Sequence, residues 1–248
     1  MINIKTDSEI SLMRESGKIT ADLLKYLESQ IRAGMTTKEL DKIAYDFIIS
    51  NGAIPSFLGY AGFPASICVS IDDMVIHGIP SDDVYIKDGQ IVSVDVGVIY
   101  NGWHSDAART FCVGNVSDEK RRLVKVTEEC FFKAIEGLRD GTPLGNIGYQ
   151  VQAHAESNGY GVVKMYTGHG IGKELHESPS VPNVGKKGTG IRVKKGMALA
   201  IEPMINIGTY NVKVLSDGWG VVTLDGKPSA HYENTVVITD DGAEIITL

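Results

Sequence analysis

The chain has 248 residues, of which 43% are hydrophobic and 22% are charged. This length and composition allow one or two globular domains with a large core, and they exclude the collagen-like, disordered and small disulfide-rich classes. The net charge of −7 favours solubility and argues against a nucleic-acid-binding field over most of the surface.

The cysteines and the N-terminal segment indicate a reducing, cytoplasmic location. Cys68, Cys112 and Cys130 are odd in number and form no CxxC pair, so neither a disulfide framework nor a thiolate zinc site is predicted. The first residues hold no apolar stretch of the length of a secretory signal, and no apolar run is long enough to span a membrane.

Two amphipathic helices are predicted at the start of the chain, each beginning with a capping box. The boxes are Thr6-x-x-Glu9 and Thr36-x-x-Glu39, and apolar residues recur at helical spacing after each of them. The first helix is predicted over residues 6–32, and the second from Thr36 to the turn signal Asn51-Gly52.

A β-hairpin is predicted next, after a loop rich in Gly, Pro and aromatic residues. Asn101-Gly102 is typical of a two-residue hairpin turn. With this turn, opposed positions sum to 203, so Asp95 lies opposite Ala108, and Asp106 shares their face as a diagonal neighbour. The β-like stretches of this region are residues 67–71, 74–79, 91–99 and 103–113.

Helices and strands recur in the same order in the second half. Helical periodicity runs from Asp118 to Arg139, and it restarts at Thr142-Pro143 as cap and first-turn proline. This fourth helix is predicted to stop at Asn158-Gly159, before a strand over the segment VVKMY and further β segments to the end of the chain.

An internal duplication is indicated by comparing the halves at an offset of 107 residues. Eight of 39 ungapped positions are identical, where roughly two or three are expected by chance. The same offset pairs Asp95 with Glu202. We therefore expect one domain, residues 1–248, built from two related halves over about residues 1–115 and 116–248.

Four acidic residues lie in strand-like segments, where their negative charges require positively charged partners. Asp95 and Asp106 point the same way from the hairpin, while Glu202 in MALAIEPMI and Glu233 in AHYENTVVI lie in apolar runs. Each alone could be a rim acid paired to Lys or Arg, because most of the 31 acids must be solvated. Together they favour a divalent cation.

Histidines extend this set. His169 lies in TGHGIG and His176 in LHESP, although a structural histidine in a glycine loop is an alternative, and His77 in MVIHGIP is a weaker candidate. An oxygen-rich site with one imidazole favours a two-metal centre of the Mn, Fe, Co or Zn type, whose reaction is hydrolysis. The remaining histidines are expected to be structural or surface residues: His104, His154 and His231.

The motifs VDVGV, HSDAART, TGHGIG, IEPM and HYENT resemble those of the type I methionine aminopeptidases of bacteria, and the resemblance spans almost the whole chain. It implies a pita-bread fold, an α/β (α+β) architecture of two pseudo-symmetric halves with antiparallel sheets inside and helices outside. It also implies a cytoplasmic monomer that removes the initiator methionine from nascent proteins whose second residue is small, with two divalent ions (Co, Mn, Fe or Zn) as cofactors.

The resemblance further implies a role for each metal-facing residue. Asp95 would bind one ion, His169 and Glu202 would bind the other, and Asp106 and Glu233 would bridge both. Glu202 would also shuttle the proton of the attacking water.

The resemblance implies two further catalytic residues and a pocket for the methionine side chain. His176 would steady the developing oxyanion, and His77 would lie near the peptide nitrogen of the scissile bond. Leu175 stands where many relatives have an aromatic residue. The pocket is expected to be lined by Tyr60, Phe63, Cys68 and Trp219, with Phe57 and Leu175 at its edge.

Ribosome docking beside the exit tunnel is a hypothesis. Bacterial relatives often carry a basic loop near residues 208–228, where this chain has only Lys213 and Lys227. We expect no zinc-finger or proline-rich extension before the catalytic region. A charge run is usually a solvated face. The alternative basic positions are Lys186, Lys187, Lys194 and Lys195.

Three other functions are considered. An Xaa-Pro dipeptidase of the same fold has five similar ligands, but we expect no large N-terminal domain here, and this expectation and the aromatic pocket segment disfavour that function. An inactive homologue acting as a binding module would have lost ligands, whereas all five positions are intact. A purely structural metal protein would not depend on Glu202 for peptide hydrolysis.

Overall fold

The computed structural model describes residues 2–248, so Met1, the first residue of the predicted domain, lies outside the described residues. The helices are α1 (Asp7–Gln30), α2 (Thr37–Ser50), α3 (Asp118–Ile135) and α4 (Gly145–Ser157). The strands are β1 (Ile54–Pro55), β2 (Ile67–Ile71), β3 (Met74–Ile76), β4 (Gln90–Tyr100), β5 (Trp103–Val113), β6 (Gly161–Val162), β7 (Thr167–Gly170), β8 (Glu177–Pro182), β9 (Ala198–Ile201), β10 (Met204–Asn206), β11 (Val212–Val214), β12 (Val221–Thr223), β13 (Ser229–His231), β14 (Asn234–Thr239) and β15 (Gly242–Ile245).

The first two helices confirm both predicted capping boxes. The Thr6 side chain accepts a hydrogen bond from the backbone of Glu9, whose carboxylate accepts one from Thr6 in return. Thr36 and Glu39 make the same reciprocal pair at the start of α2. Two orphan amides at each helix start are thereby satisfied, which fixes where each helix begins.

The hairpin of β4 and β5 has the predicted register. Asn101 and Gly102 both have positive φ, at 51° and 79°, as a type I′ turn requires. Asp95 is the partner of Ala108, and Asp106 is the partner of Gly97. The two aspartates therefore share one face of the sheet.

In the second half, three predicted boundaries were wrong. Helix α3 ends at Ile135 rather than Arg139, because Gly137 has a φ of 72° that no helix can include. Helix α4 begins at Gly145 rather than at a Thr142 cap, since Pro143 is held in an isolated bridge to Arg192. Of the segment VVKMY, which was predicted as a strand, only the first residue, Val162, belongs to a strand, β6.

Two larger antiparallel sheets carry the fold, and two smaller ones of three strands flank them. In the first larger sheet, β1 and β2 both pair with one edge of β4, and β5 pairs with its other edge. The second larger sheet has the order β15-β14-β9-β7-β8. Helices α1 and α2 precede the first sheet in sequence, and α3 and α4 precede the second. The order of two helices followed by a larger antiparallel sheet therefore occurs twice along the chain.

Each larger sheet packs one face on its own pair of helices. Val94 and Val96 of β4 form a buried cluster with Leu23 of α1 and Leu40 of α2. In the second half, one such cluster joins α3 and α4 to these residues of β9 and β14: Leu199, Ile201, Val236 and Ile238. Because side chains alternate along a strand, the residues between these positions point to the opposite, inner face. No described helix is both long and apolar enough to cross a membrane.

Candidate active site

The first set of polar residues forms a row across the inner face of the first sheet. Asp95 of β4 lies between Cys68 of β2 and Ala108 of β5 as their direct partner. Beyond β5, Glu233 continues the row, since its backbone N–H donates to Ala108 O (3.0 Å) and Ala108 N–H donates to Glu233 O (3.3 Å). Residues directly opposed in an antiparallel pair share a face, so the two carboxylates flank the small Ala108 side chain.

A second row mirrors the first in the other half. His169 of β7 is the partner of Ala200 of β9, which is in turn the partner of Thr235 of β14. Glu202 follows two residues after Ala200, and Glu233 precedes Thr235 by two residues, so both point to the same face. An alanine again occupies the middle of the row, and the small side chain leaves space between the polar groups.

The two rows converge into one cluster of four carboxylates and His169, here called the carboxylate cage: Asp95, Asp106, His169, Glu202 and Glu233. His169 Nε2 lies 3.8 Å from Asp106 Oδ2 and 3.8 Å from Glu202 Oε1. Asp106, His169 and Glu233 offer ligand atoms that all lie within 4.8 Å of one another. Atoms bound to one ion at about 2.0–2.2 Å lie at comparable separations.

The chemistry of the cage fits divalent cations. Burial raises the pKa of Asp95 to about 7, and burial and the neighbouring carboxylates raise the pKa of Asp106, Glu202 and Glu233 well above the ordinary range. One oxygen each of Asp95, Asp106 and Glu233 is buried without a hydrogen-bond partner. Since unpaired buried carboxylates are costly, cations are the natural partners of these oxygens.

His169 is held in the tautomer that a metal ligand needs. Its Nδ1 lies 2.8 Å from Gly170 O, a carbonyl that can only accept, so the proton must be on Nδ1. Burial lowers the pKa of His169 to about 3, which keeps the ring neutral. The Nε2 lone pair therefore points at Asp106 and Glu202.

His176 is paired with a hydroxyl group rather than with a carbonyl. Its Nδ1 lies 2.7 Å from the Tyr60 hydroxyl, and its ring centroid is 4.2 Å from that of His169. Burial raises the pKa of Tyr60 and lowers that of His176, so a protonated phenol faces a neutral imidazole and can donate to its Nδ1. The remaining proton is then on His176 Nε2, where it can be donated to a substrate oxygen.

His77 is held at a strained position beside the cage. Its φ of 60° is in the left-handed region, which is uncommon for a residue other than glycine. Its ring packs edge-on against Trp219 and Tyr166, with centroids 6.4 and 5.8 Å away. Burial lowers the pKa of His77 to about 4. Strain of this kind is typical of residues whose position matters for function.

An open pocket of about 140 Å³ connects the cage with an apolar wall. Phe63 packs edge-on against Trp219 at 5.0 Å, and burial raises the pKa of the Cys68 thiol, which therefore remains protonated. All the predicted site residues line this pocket, and no other residue of the described range does: Phe57, Tyr60, Phe63, Cys68, His77, Asp95, Asp106, His169, Leu175, His176, Glu202, Trp219 and Glu233.

Sequence reasoning missed two residues. Tyr166, which packs on His77, lies in a segment predicted as a strand, and nothing in the sequence indicated this contact. His231 was expected to be a structural or surface residue, but it is 2% exposed and its Nε2 lies 3.8 Å from Glu233 Oε2. The one available signal was its position two residues before Glu233, which favours a common face.

The carboxylate cage lines an open pocket and can hold divalent ions, an arrangement typical of metal-dependent hydrolases. The model of metallopeptidase family M24 matches residues 11–240 of the chain. Methionine aminopeptidase of Clostridium acetobutylicum is 55% identical over 248 residues, covering 100% of this chain and 99% of that protein. The chain therefore belongs to metallopeptidase family M24, and within that family to the methionine aminopeptidases.

Solved structures agree with this assignment. The crystal structure of methionine aminopeptidase from Rickettsia prowazekii superposes with a TM-score of 0.98 at 45% identity, covering 100% of both chains. Prolidase from Pyrococcus furiosus has a TM-score of 0.81 at 24% identity, and the match covers 99% of this chain but 65% of that one. The predicted pita-bread fold is thus confirmed, and its likeness to prolidase concerns the fold alone.

Proposed function

We propose that this protein releases the N-terminal methionine from nascent polypeptides with a small second residue, and that it uses two divalent ions held by the carboxylate cage. The observation that carries the proposal is that an apolar pocket of aromatic and sulfur-containing side chains directly adjoins the cage. A flexible thioether packs well against such groups. The metallopeptidase family and the names of the relatives support the same activity.

Asp95, on one side of the cage, would hold one ion, and His169 and Glu202 would hold the other. Asp106 and Glu233 would contact both ions, and Glu233 offers ligand atoms to both candidate groups of the cage. Bound divalent ions would supply a water of lowered pKa and a polarised carbonyl. Glu202 would accept the proton that the attacking water loses and deliver it to the leaving amine, as a general base and then a general acid.

The two remaining pocket histidines would act on the scissile bond. His176 Nε2 would donate a hydrogen bond to the carbonyl oxygen as negative charge develops there, because Tyr60 occupies its Nδ1. His77, fixed between two aromatic rings, would contact the peptide nitrogen. Phe63, Trp219 and their apolar neighbours would hold the methionine side chain and exclude water.

The assay compares peptides of defined sequence. We expect the protein reconstituted with Co, Mn, Fe or Zn under anaerobic conditions to release methionine from Met-Ala-Ser, and to act far more slowly on a peptide with a bulky second residue and on Ala-Pro. Glu202→Gln should abolish release while leaving the fold intact, as circular dichroism would show. Faster cleavage of Ala-Pro would instead identify an Xaa-Pro peptidase, and full activity of the variant would overturn the role of Glu202.

The proposed cellular setting is the cytoplasm, where nascent chains carry their initiator methionine. All three cysteines are free, which suits a reducing compartment. The proposed contacts with the ribosome are four exposed lysines: Lys186, Lys187, Lys194 and Lys195. Co-sedimentation with ribosomes that weakens as salt rises would support this docking, and salt-insensitive or absent co-sedimentation would contradict it. The proposed monomer is checked by sedimentation velocity.

A further inference from the structure

His231 adjoins the carboxylate cage but belongs neither to the predicted ligand set nor to the predicted catalytic residues. It ends β13 and is 2% exposed. Its backbone is fixed on both sides by Thr110, whose hydroxyl accepts from His231 N–H (2.9 Å) and donates to His231 O (2.8 Å). The side chain therefore projects from a rigid position rather than from a mobile loop.

The Nε2 atom of His231 has no hydrogen-bond partner among the described residues. This nitrogen is buried and makes no hydrogen bond. The nearest acids are Glu233 Oε2 at 3.8 Å and Glu202 Oε2 at 4.0 Å, both beyond hydrogen-bonding distance. A buried nitrogen left unpaired costs free energy, so a native structure that retains it normally has a use for it.

The position of His231 matches that of His169 on the other side of the cage. His169 Nε2 lies 3.8 Å from each of two carboxylate oxygens, and His231 Nε2 lies 3.8 and 4.0 Å from its own two. Asp95, His231 and Glu233 offer ligand atoms within 4.8 Å of one another, as Asp106, His169 and Glu233 do. The cage therefore presents one imidazole to each side.

We propose that His231 is a sixth ligand residue, whose Nε2 binds the ion on the Asp95 side together with Asp95 and Glu233. This inference rests on the proposed two-ion function and extends it. Each ion would then have one nitrogen ligand. Because imidazole suits Zn, Co, Fe and Ni better than Mg or Mn, the second imidazole would strengthen the preference of the Asp95 side for these later metals.

The test is Co²⁺ binding, which is measured by calorimetry and by the visible absorption of the bound ion. His231→Gln replaces the imidazole with an amide of similar length, and His154→Gln is the matched control, since His154 lies on α4 beside Glu129. We expect the native protein and the control to bind two ions, and His231→Gln to bind one ion normally and the other at least ~10-fold more weakly, with an altered spectrum. Native affinities and an unchanged spectrum in His231→Gln would overturn the proposal.

A second measurement does not depend on how well the variant folds. Native protein with ¹⁵N-labelled histidine is titrated with Zn²⁺, and the ring nitrogens are observed by NMR. We expect two imidazoles to show metal-bound Nε2 shifts, and His169→Gln to remove one of them. If only one imidazole responds while two ions bind, His231 is not a ligand. If the native protein binds no divalent ion, the proposed function itself fails.

Discussion

The Thr235 hydroxyl bridges the two halves of the molecule at Asp106, accepting from Asp106 N–H and donating to Asp106 O, each at 2.9 Å. Both residues are buried, so these bonds are shielded from water. Asp106 belongs to β5 of the first half and Thr235 to β14 of the second. One hydroxyl thus holds a cage carboxylate in register with the opposite sheet.

Replacing this hydroxyl should cost both stability and metal binding. Thr235→Val keeps the shape of the side chain but leaves the buried Asp106 N–H unpaired, which is expected to lower the free energy of unfolding by about 1–3 kcal/mol. Urea unfolding measures the loss. The control is Thr239→Val in the same strand, where the hydroxyl donates to Gly242 O in a partly buried turn. Equal losses in the two variants would contradict a special role for the bridge.

The Tyr60 hydroxyl should contribute to turnover rather than to stability. Tyr60→Phe frees His176 Nδ1, so the proton is no longer directed to Nε2. A net loss of about 1 kcal/mol lowers kcat by about 5-fold. The KM for methionyl peptides should change little, because the ring remains. Tyr45→Phe is the control, since Tyr45 and Tyr60 are each 40% exposed. An unchanged kcat in Tyr60→Phe would show that His176 needs no partner.

Divalent ions should stabilise the fold. The cage carboxylates lack protein partners for several oxygens, so a chelated sample retains their mutual repulsion. An ion at 100 times its dissociation constant adds about 2.7 kcal/mol, which corresponds to a rise in Tm of about 5–10 °C for a chain of this size. Calorimetry with and without chelator measures the shift. Asp106→Asn should remove most of it, and equal melting temperatures in loaded and chelated native protein would contradict the metal site.

His77 should make stability depend on pH. Burial lowers the pKa of His77 to about 4 from an ordinary value of 6.5. Between pH 6.5 and 4, His77 is therefore protonated in the unfolded chain but neutral in the folded chain. The contribution of His77 to stability is complete above pH 6.5 and is lost as the pH falls towards 4. His77→Asn tolerates the same positive φ but does not titrate. Urea unfolding at constant metal loading should show that the free energy of unfolding of this variant depends less steeply on pH between pH 4 and 6.5. An identical slope in both proteins would refute the lowered pKa of His77.

The sequence by itself determined the local geometry. The capping boxes at Thr6 and Thr36 use contacts between residues three apart, and the Asn101-Gly102 turn fixes the register that puts Asp95 and Asp106 on one face. Such contacts depend on neighbouring residues only, so a pattern can reveal them. Where a neighbour from far along the chain intervenes, as Arg192 does at Pro143, the predicted boundary failed.

Only the tertiary structure decided how the cage is assembled. Glu233 reaches the Asp95 row through backbone bonds to Ala108, a partner 125 positions away in the chain, and no local pattern encodes that pairing. The position of His231 likewise follows from the Thr110 hydroxyl, which lies 121 positions away in the chain and which packing brings beside the His231 backbone. The motifs identify the chemical groups of the cage. The orientation of these groups depends on the packing of the two sheets against each other.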